Sequence, residues 1–144
     1  MTTRNDDRTP VAEPRVLLLE DDPILGGLFE RCLLRRGCQV RRFTRAEEAE
    51  AALLEGVAGA LVTDFYLPGN LNGIDLLQRM RARGDDRPAV VITGSRDPED
   101  ARAARAAGAR ALLHKPFSMQ ALLDAVEALF DESTLTAFEA SARN

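Results

Sequence analysis

Five short apolar runs, each of strand length and each followed by a segment of helical periodicity, constrain the chain most. The runs lie at 15–20 (RVLLLE), 39–43 (QVRRF), 60–64 (ALVTD), 89–93 (AVVIT) and 111–114 (ALLH). Alternation of this kind implies a parallel sheet with helices on both faces and right-handed crossovers. A near-continuous apolar run suits a strand covered on both faces. The second run alternates only weakly and is expected at an edge. In open sheets of this class, chemistry collects just beyond the carboxyl ends of the strands. The stretch LVTDFYLP is the one to weigh, because it stops on a single acid, Asp64, and breaks at once into a turn.

The intervening segments carry helix signals. Pro23 opens a helix whose apolar face is expected to be Ile24, Leu25, Leu28, Phe29, Cys32 and Leu33, ending at Gly37. Thr44-Arg45-Ala46-Glu47 has the capping-box pattern for a second helix, buried through Ala46, Ala49 and Leu53. A Gly/Asn-rich loop, 68–73, leads to a third helix that turns Ile74, Leu77 and Met80 inward. Asp97-Pro98 caps a fourth helix, 98–107, with an alanine-rich inner face and hence little area to bury. Ser118 caps a fifth, packing through Leu122, Leu123, Val126, Leu129 and Phe130. Residues 1–14 are polar and read as a disordered leader, 15–131 as the one domain, and 132–144 as a tail or helix extension.

Composition excludes several classes of function. The formal net charge of −4 argues against a direct nucleic-acid partner. No apolar run approaches the ~20 residues needed to span a bilayer, and the N-terminus is polar, so a cytoplasmic protein without membrane contact is expected. Cys32 and Cys38 have no CxxC spacing and read as packing residues. Of the 19 basic residues, every one is arginine except Lys115. A compact ammonium is thus used at one place alone in a chain that otherwise chooses the planar guanidinium fork.

On a parallel sheet all carboxyl ends share one rim. That rim receives Glu20, Asp21 and Asp22 from the first strand, Asp64 from the third, Thr93 from the fourth and Lys115 from the fifth. Clustered carboxylates repel unless a cation sits among them, and a hard, oxygen-seeking Mg²⁺ suits this donor set. Zinc does not, with one histidine in the chain and no cysteine placed as a ligand. A metal-screened Asp64 could act as a nucleophile toward phosphorus, with the Thr93 hydroxyl and Lys115 ammonium as donors to the added group.

The motifs VLLLEDD, LVTDFYLPGNLNGIDLL, VVITGS and LLHKPFS, in this order and spacing, resemble the receiver domain of two-component response regulators over roughly residues 15–130. The resemblance implies a flavodoxin-like (βα)5 fold with strand order 2-1-3-4-5. It implies Asp64 as phospho-acceptor, Glu20 and Asp21 as the acidic pair with Asp21 a direct Mg²⁺ ligand, and the backbone carbonyl of Tyr66 as a further ligand. Thr93 is then the switch hydroxyl, and Lys115, before a cis Pro116, the phosphate contact. The implied function is a phosphorylation switch rather than an enzyme. A histidine kinase or phosphotransfer protein supplies the phosphoryl group, and the face of the fourth helix, fifth strand and fifth helix changes for a downstream protein or a second copy.

The chain departs from the family pattern in places. The 68–73 loop is one residue longer than the common form. Leu112 stands where a gating aromatic is often found, and Gly94 beside Thr93 leaves extra room. Tyr66 is large for its position and is expected to shield the acyl phosphate from water. Asp22 is read as a loop acid, His114 as a strand residue, Arg96 as a solvated arginine and Ser95 as a turn residue or a modulator of dephosphorylation. No effector module is recognisable, so the chain reads as a stand-alone receiver or a fragment of a hybrid kinase. An aspartate-nucleophile phosphatase is the rival class, but it carries a second aspartate two residues after the nucleophile, where this chain has Tyr66. A receiver that serves only as a scaffold is the third.

Overall fold

The computed structural model describes residues 14–56 and 58–131, so nearly all of the expected leader and the whole 132–144 tail lie outside the described residues. The elements are β1 (Arg15–Leu19), α1 (Pro23–Arg35), β2 (Gln39–Phe43), α2 (Ala46–Leu54), β3 (Ala60–Asp64), α3 (Gly73–Ala82), β4 (Ala89–Thr93), α4 (Pro98–Ala106), β5 (Ala111–His114) and α5 (Met119–Leu129). All strand pairs are parallel, in the order β2-β1-β3-β4-β5. This is the flavodoxin-like (βα)5 arrangement that the alternation and the motifs predict.

Each central strand sends alternate side chains to two separate cores. Leu17, Leu61, Val91 and Leu112 join Leu53, Leu77 and Met80 on the side of α2, α3 and α4. Val16, Leu18, Val62, Ile92 and Leu113 join Phe29, Leu33, Leu122 and Val126 on the side of α1 and α5. Two buried faces explain why β3 and β4 carry no exposed residue. At the edge, β2 exposes Arg41 and Arg42, charges that discourage pairing with another strand.

The helices are held unequally. α5 buries Leu122, Val126 and Leu129, each contributing about 1.5–3 kcal/mol. α4 buries Ala104 alone within its span, so little apolar area fixes it, as its composition predicts.

Three helix expectations are corrected: Phe130, expected to pack from the fifth helix, is the exposed C-cap of α5, and two others concern α1 and α2. In α1, Ile24 is 81% exposed and Leu28 is also exposed, whereas Gly26, Phe29 and Leu33 face the sheet. The apolar residues of α1 form two stripes about 100° apart, and the sheet takes the one that includes Gly26, where a Cβ would approach the Arg42 side chain. In α2 the N-cap is Arg45, with no side-chain cap, so the Thr44 box does not form. Glu47 instead accepts a hydrogen bond from the Asn70 backbone in the long loop. A capping box is present at α3, between Asn72 and Asp75.

Arginine forks tie the rim opposite the strand carboxyl ends. Arg87 bonds the Asp85 carboxylate and donates to the carbonyls of Leu53 and Ala58. Arg81 reaches the carbonyls of Asp85, Arg87 and Gly108. One planar side chain thus satisfies several chain-end acceptors at once, which a lysine could not do.

Candidate functional site

The acidic pocket grows from the end of β1. Glu20 donates its backbone N–H to the carbonyl of Phe43 and is 1% exposed. Its Oε2 accepts from the backbone N–H of Asp22. Asp22 in turn N-caps α1 through Ile24 and Leu25. Asp22 is therefore an exposed helix cap whose backbone orients Glu20, and Asp21 between them is exposed at the mouth of the site.

Asp64 ends β3 and is 4% exposed. Its carbonyl accepts from the Thr63 hydroxyl. Gly73, the first residue of α3, donates to the Phe65 carbonyl and lies so close that a Cβ there would stand 1.9 Å from the Asp64 oxygen. Only a residue without a side chain fits where the loop returns past the end of β3. The backbone angles at Gly73 are ordinary; lack of room alone selects glycine.

Thr93 ends β4, buried, and its hydroxyl accepts from the Ser95 backbone N–H. Lys115 follows β5, donates its backbone N–H to the Thr93 carbonyl, and precedes Pro116 through a cis bond. Its Nζ lies 3.2 Å from Glu20 Oε1 and 3.2 Å from Asp64 Oδ1. The ammonium stands between two buried carboxylates at ion-pair distance, yet neither oxygen gains a properly directed hydrogen bond. Four strand ends thus converge on one pocket, as their shared rim requires.

The electrostatics follow from burial. Desolvation and the facing Glu20 carboxylate push the Asp64 carboxyl up to about 9, with Lys115 pulling the other way. For Lys115, burial alone would favour the neutral amine, but the Asp64 and Glu20 carboxylates outweigh it and hold the ammonium above its ordinary value. One carboxylate oxygen from each of Glu20, Asp21 and Asp64 lies within 4.8 Å of the others. Three acids around two buried oxygens that lack a hydrogen-bond donor among the described residues fit a hard divalent cation, which those oxygens would ligate.

Tyr66 runs outward from the β3–α3 loop. It is 57% exposed, tilts against Phe65 with ring centroids 4.5 Å apart, and donates its hydroxyl to Asp100 Oδ2 of α4 at 2.7 Å. That hydrogen bond, together with the negative charge of Asp100, raises the Tyr66 phenol above its ordinary value. Leu112 is fully buried. His114 is half-buried beside Thr93; burial and the nearby Arg96 lower its imidazole, and its Nδ1 has no partner among the described residues. Arg96 is exposed.

The motif reading missed Gly73, Thr63 and Asp100. Gly73 and Asp100 act through space on residues far along the chain and leave no local signature. The capping role of Asp22 was open to the Asp-Pro rule that finds Asp97.

The sequence and the fold agree with known proteins. The family model described as response regulator receiver domain matches residues 16–127. The chain is 35% identical over 115 residues to the C4-dicarboxylate transport transcriptional regulatory protein DctD of Pseudomonas aeruginosa, covering 80% of this chain and 25% of that protein. It is 31% identical to the transcriptional regulatory protein QseB of Escherichia coli, covering 80% of this chain and 52% of the relative. The chain thus spans between a quarter and about half the length of these relatives. The non-phosphorylated receiver domain of HemR from Leptospira biflexa superimposes with a TM-score of 0.76 at 27% identity, covering 83% of this chain and 95% of that one. With the motifs, the strand order and the acidic pocket in agreement, the chain belongs to the response regulator receiver domain family.

Proposed function

We propose that the chain is a phospho-acceptor switch in which Asp64 takes a phosphoryl group from a histidine kinase or phosphotransfer protein. The observation that carries the reading is the buried Asp64 carboxylate, which shares its pocket with the Glu20 and Asp21 carboxylates and lies 3.2 Å from the Lys115 ammonium. In the transfer, an Asp64 carboxylate oxygen bonds to phosphorus as the bond from phosphorus to the donor imidazole nitrogen breaks. The electron pair stays on that nitrogen, and the product is an acyl phosphate. Glu20, Asp21, Asp64 and the Tyr66 carbonyl would hold Mg²⁺, which when bound neutralises charge on the transferring oxygens. Lys115 and the Thr93 hydroxyl then donate to those oxygens. Thr93 accepts from the Ser95 N–H and so keeps its own hydroxyl proton to donate; as it turns toward those oxygens, the β4–α4 loop tied to it and the weakly packed α4 follow inward.

Residues beside the pocket support a protein phosphodonor. Exposed Leu28 on α1 lines a groove of about 430 Å³ together with Leu25, Phe29, Lys115, Pro116, Phe117 and Met119. No helix among the described residues is long and apolar enough to cross a membrane, in keeping with a cytoplasmic site of action. The α4-β5-α5 face would meet the downstream protein partner or a second copy.

The test is phosphorylation by acetyl phosphate and Mg²⁺, read by intact mass. A gain of one phosphoryl group that Asp64→Asn abolishes is expected; no label from acetyl phosphate or from any cognate kinase would leave a scaffold role in its place. Turnover of p-nitrophenyl phosphate would favour the phosphatase. The exposed Tyr66 two residues after Asp64 offers no carboxylate for acid–base work in that reaction.

A further inference from the structure

We infer that the Tyr66–Asp100 hydrogen bond is a latch, holding α4 in its resting position from the loop that directly follows the acceptor aspartate. The inference rests on the phospho-switch reading and adds a regulatory contact to it.

Three observations converge. Tyr66 is two residues from Asp64 and its hydroxyl reaches α4 at 2.7 Å, so one side chain bridges the acceptor loop and a separate helix. Asp100 lies in the first turn of α4, directly beyond the loop 94–97 that Thr93 governs. α4 buries only Ala104 within its span, so a single polar tie is a sizeable share of what positions it. The carboxylate acceptor makes this a charge-assisted bond, stronger than one between neutral groups. The contact is half in water, which limits its strength and lets it break on demand.

The geometry also says what breaks it. When Thr93 turns to a phosphoryl oxygen, the segment Gly94–Asp97 follows, and Asp97 is the N-cap of α4. At Gly94, where the segment begins, even an added Cβ would meet nothing within 4 Å among the described residues. Asp100 is carried with the helix while the Tyr66 backbone stays in the acceptor loop, and the hydrogen bond cannot survive a shift much beyond an ångström. The latch favours the resting arrangement and is lost in the phosphorylated one. Any ligand that prefers the shifted α4 must therefore make the site easier to phosphorylate, because the coupling runs both ways.

The experiment uses Tyr66→Phe, which keeps the ring and the backbone carbonyl and removes only the hydroxyl, with Asp100→Ala and the double variant. Amide hydrogen exchange of the α4 residues in the unphosphorylated protein should rise by about 2–10-fold in Tyr66→Phe. Phosphorylation by acetyl phosphate should be faster by about 2–5-fold, because more molecules already occupy the shifted arrangement. In the Asp100→Ala background Tyr66→Phe should add nothing further, since the pair is already broken. Unchanged α4 exchange in Tyr66→Phe, equal or slower phosphorylation, or an undiminished effect in the Asp100→Ala background would each overturn the latch. The exchange measurement needs no phosphodonor, so it separates failure of the latch from failure of the switch. If wild type takes no label, the phospho-switch fails and with it the regulatory meaning of the contact, whatever α4 exchange shows.

Discussion

Replacing Gly73 by alanine tests how tightly the end of β3 and the returning loop fit together. The new Cβ would lie 1.9 Å from the Asp64 carbonyl oxygen and 2.7 Å from Thr63 Oγ1. Carbon and oxygen in close contact stand about 3.3 Å apart, so the two groups must separate by roughly 1.4 Å. The obstacle is backbone, and it belongs to a strand hydrogen-bonded on both sides, so no flexible side chain can yield. Overpacking of this kind costs about 1–3 kcal/mol and occasionally more. A rigid obstacle puts this case at or above about 3 kcal/mol, which for a domain of this size lowers the melting temperature by roughly 10 °C. Any relaxation moves the Tyr66 carbonyl and Asp64, so Mg²⁺ and beryllofluoride binding should weaken as well. The assays are urea and thermal unfolding followed by far-UV circular dichroism, with Mg²⁺ titration followed by NMR. Gly94→Ala is the control: its added methyl meets nothing within 4 Å, and stability should stay within about 0.5 kcal/mol of wild type. A Gly73→Ala protein with the wild-type urea midpoint and Mg²⁺ affinity would refute the steric argument.

The other expectations concern charge. Arg87→Ala leaves the mostly buried Asp85 carboxylate and two chain-end carbonyls without their donor, and should cost about 2–4 kcal/mol in urea unfolding. Arg87 holds the Asp85 carboxyl below its ordinary 3.8, and that stabilisation is fully present above the unfolded value and fades as pH falls through the folded one. The urea midpoint of wild type should therefore drop more steeply below about pH 4 than that of Arg87→Ala, and parallel pH profiles would contradict the pairing. Asp64 behaves in the opposite sense. Its folded value of about 9 lies above the ordinary 3.8, so without metal its ionisation opposes folding increasingly as pH rises between those values. Asp64→Asn should accordingly raise the urea midpoint in EDTA, by more at pH 8 than at pH 5, and a midpoint at or below wild type at pH 8 would count against it.

Much of the architecture is written in local pattern. Strand runs such as 60–64 and 89–93 are unbroken because both faces are covered, and the rule that strand ends share a rim brings Glu20, Asp64, Thr93 and Lys115 together before any coordinate is known. What local pattern cannot resolve is a choice between equals. Ile24 and Leu25 are both apolar neighbours on α1, and only the sheet decides that Gly26, Phe29 and Leu33 pack while Ile24 remains exposed. Glu47 could have closed a box with Thr44, but a loop more than twenty residues away supplies a backbone donor instead. The Tyr66–Asp100 contact and the crowding at Gly73 are likewise products of chain return, invisible to any window of consecutive residues.

Lys115, wedged between Glu20 and Asp64, also makes the protein a ready-made single-site reagent target. Every other lysine-or-arginine position is an arginine, so within this sequence an amine-acylating probe has one side chain to find, and that side chain lies in the acidic pocket. It is about a third exposed, and because Glu20 and Asp64 favour its ammonium form, its labelling calls for alkaline pH. Occupancy of the pocket by a phosphoryl mimic should slow its labelling, and peptide mass separates it from the terminal amine. A covalent footprint of one residue then reads the state of the switch in whatever mixture the protein is placed.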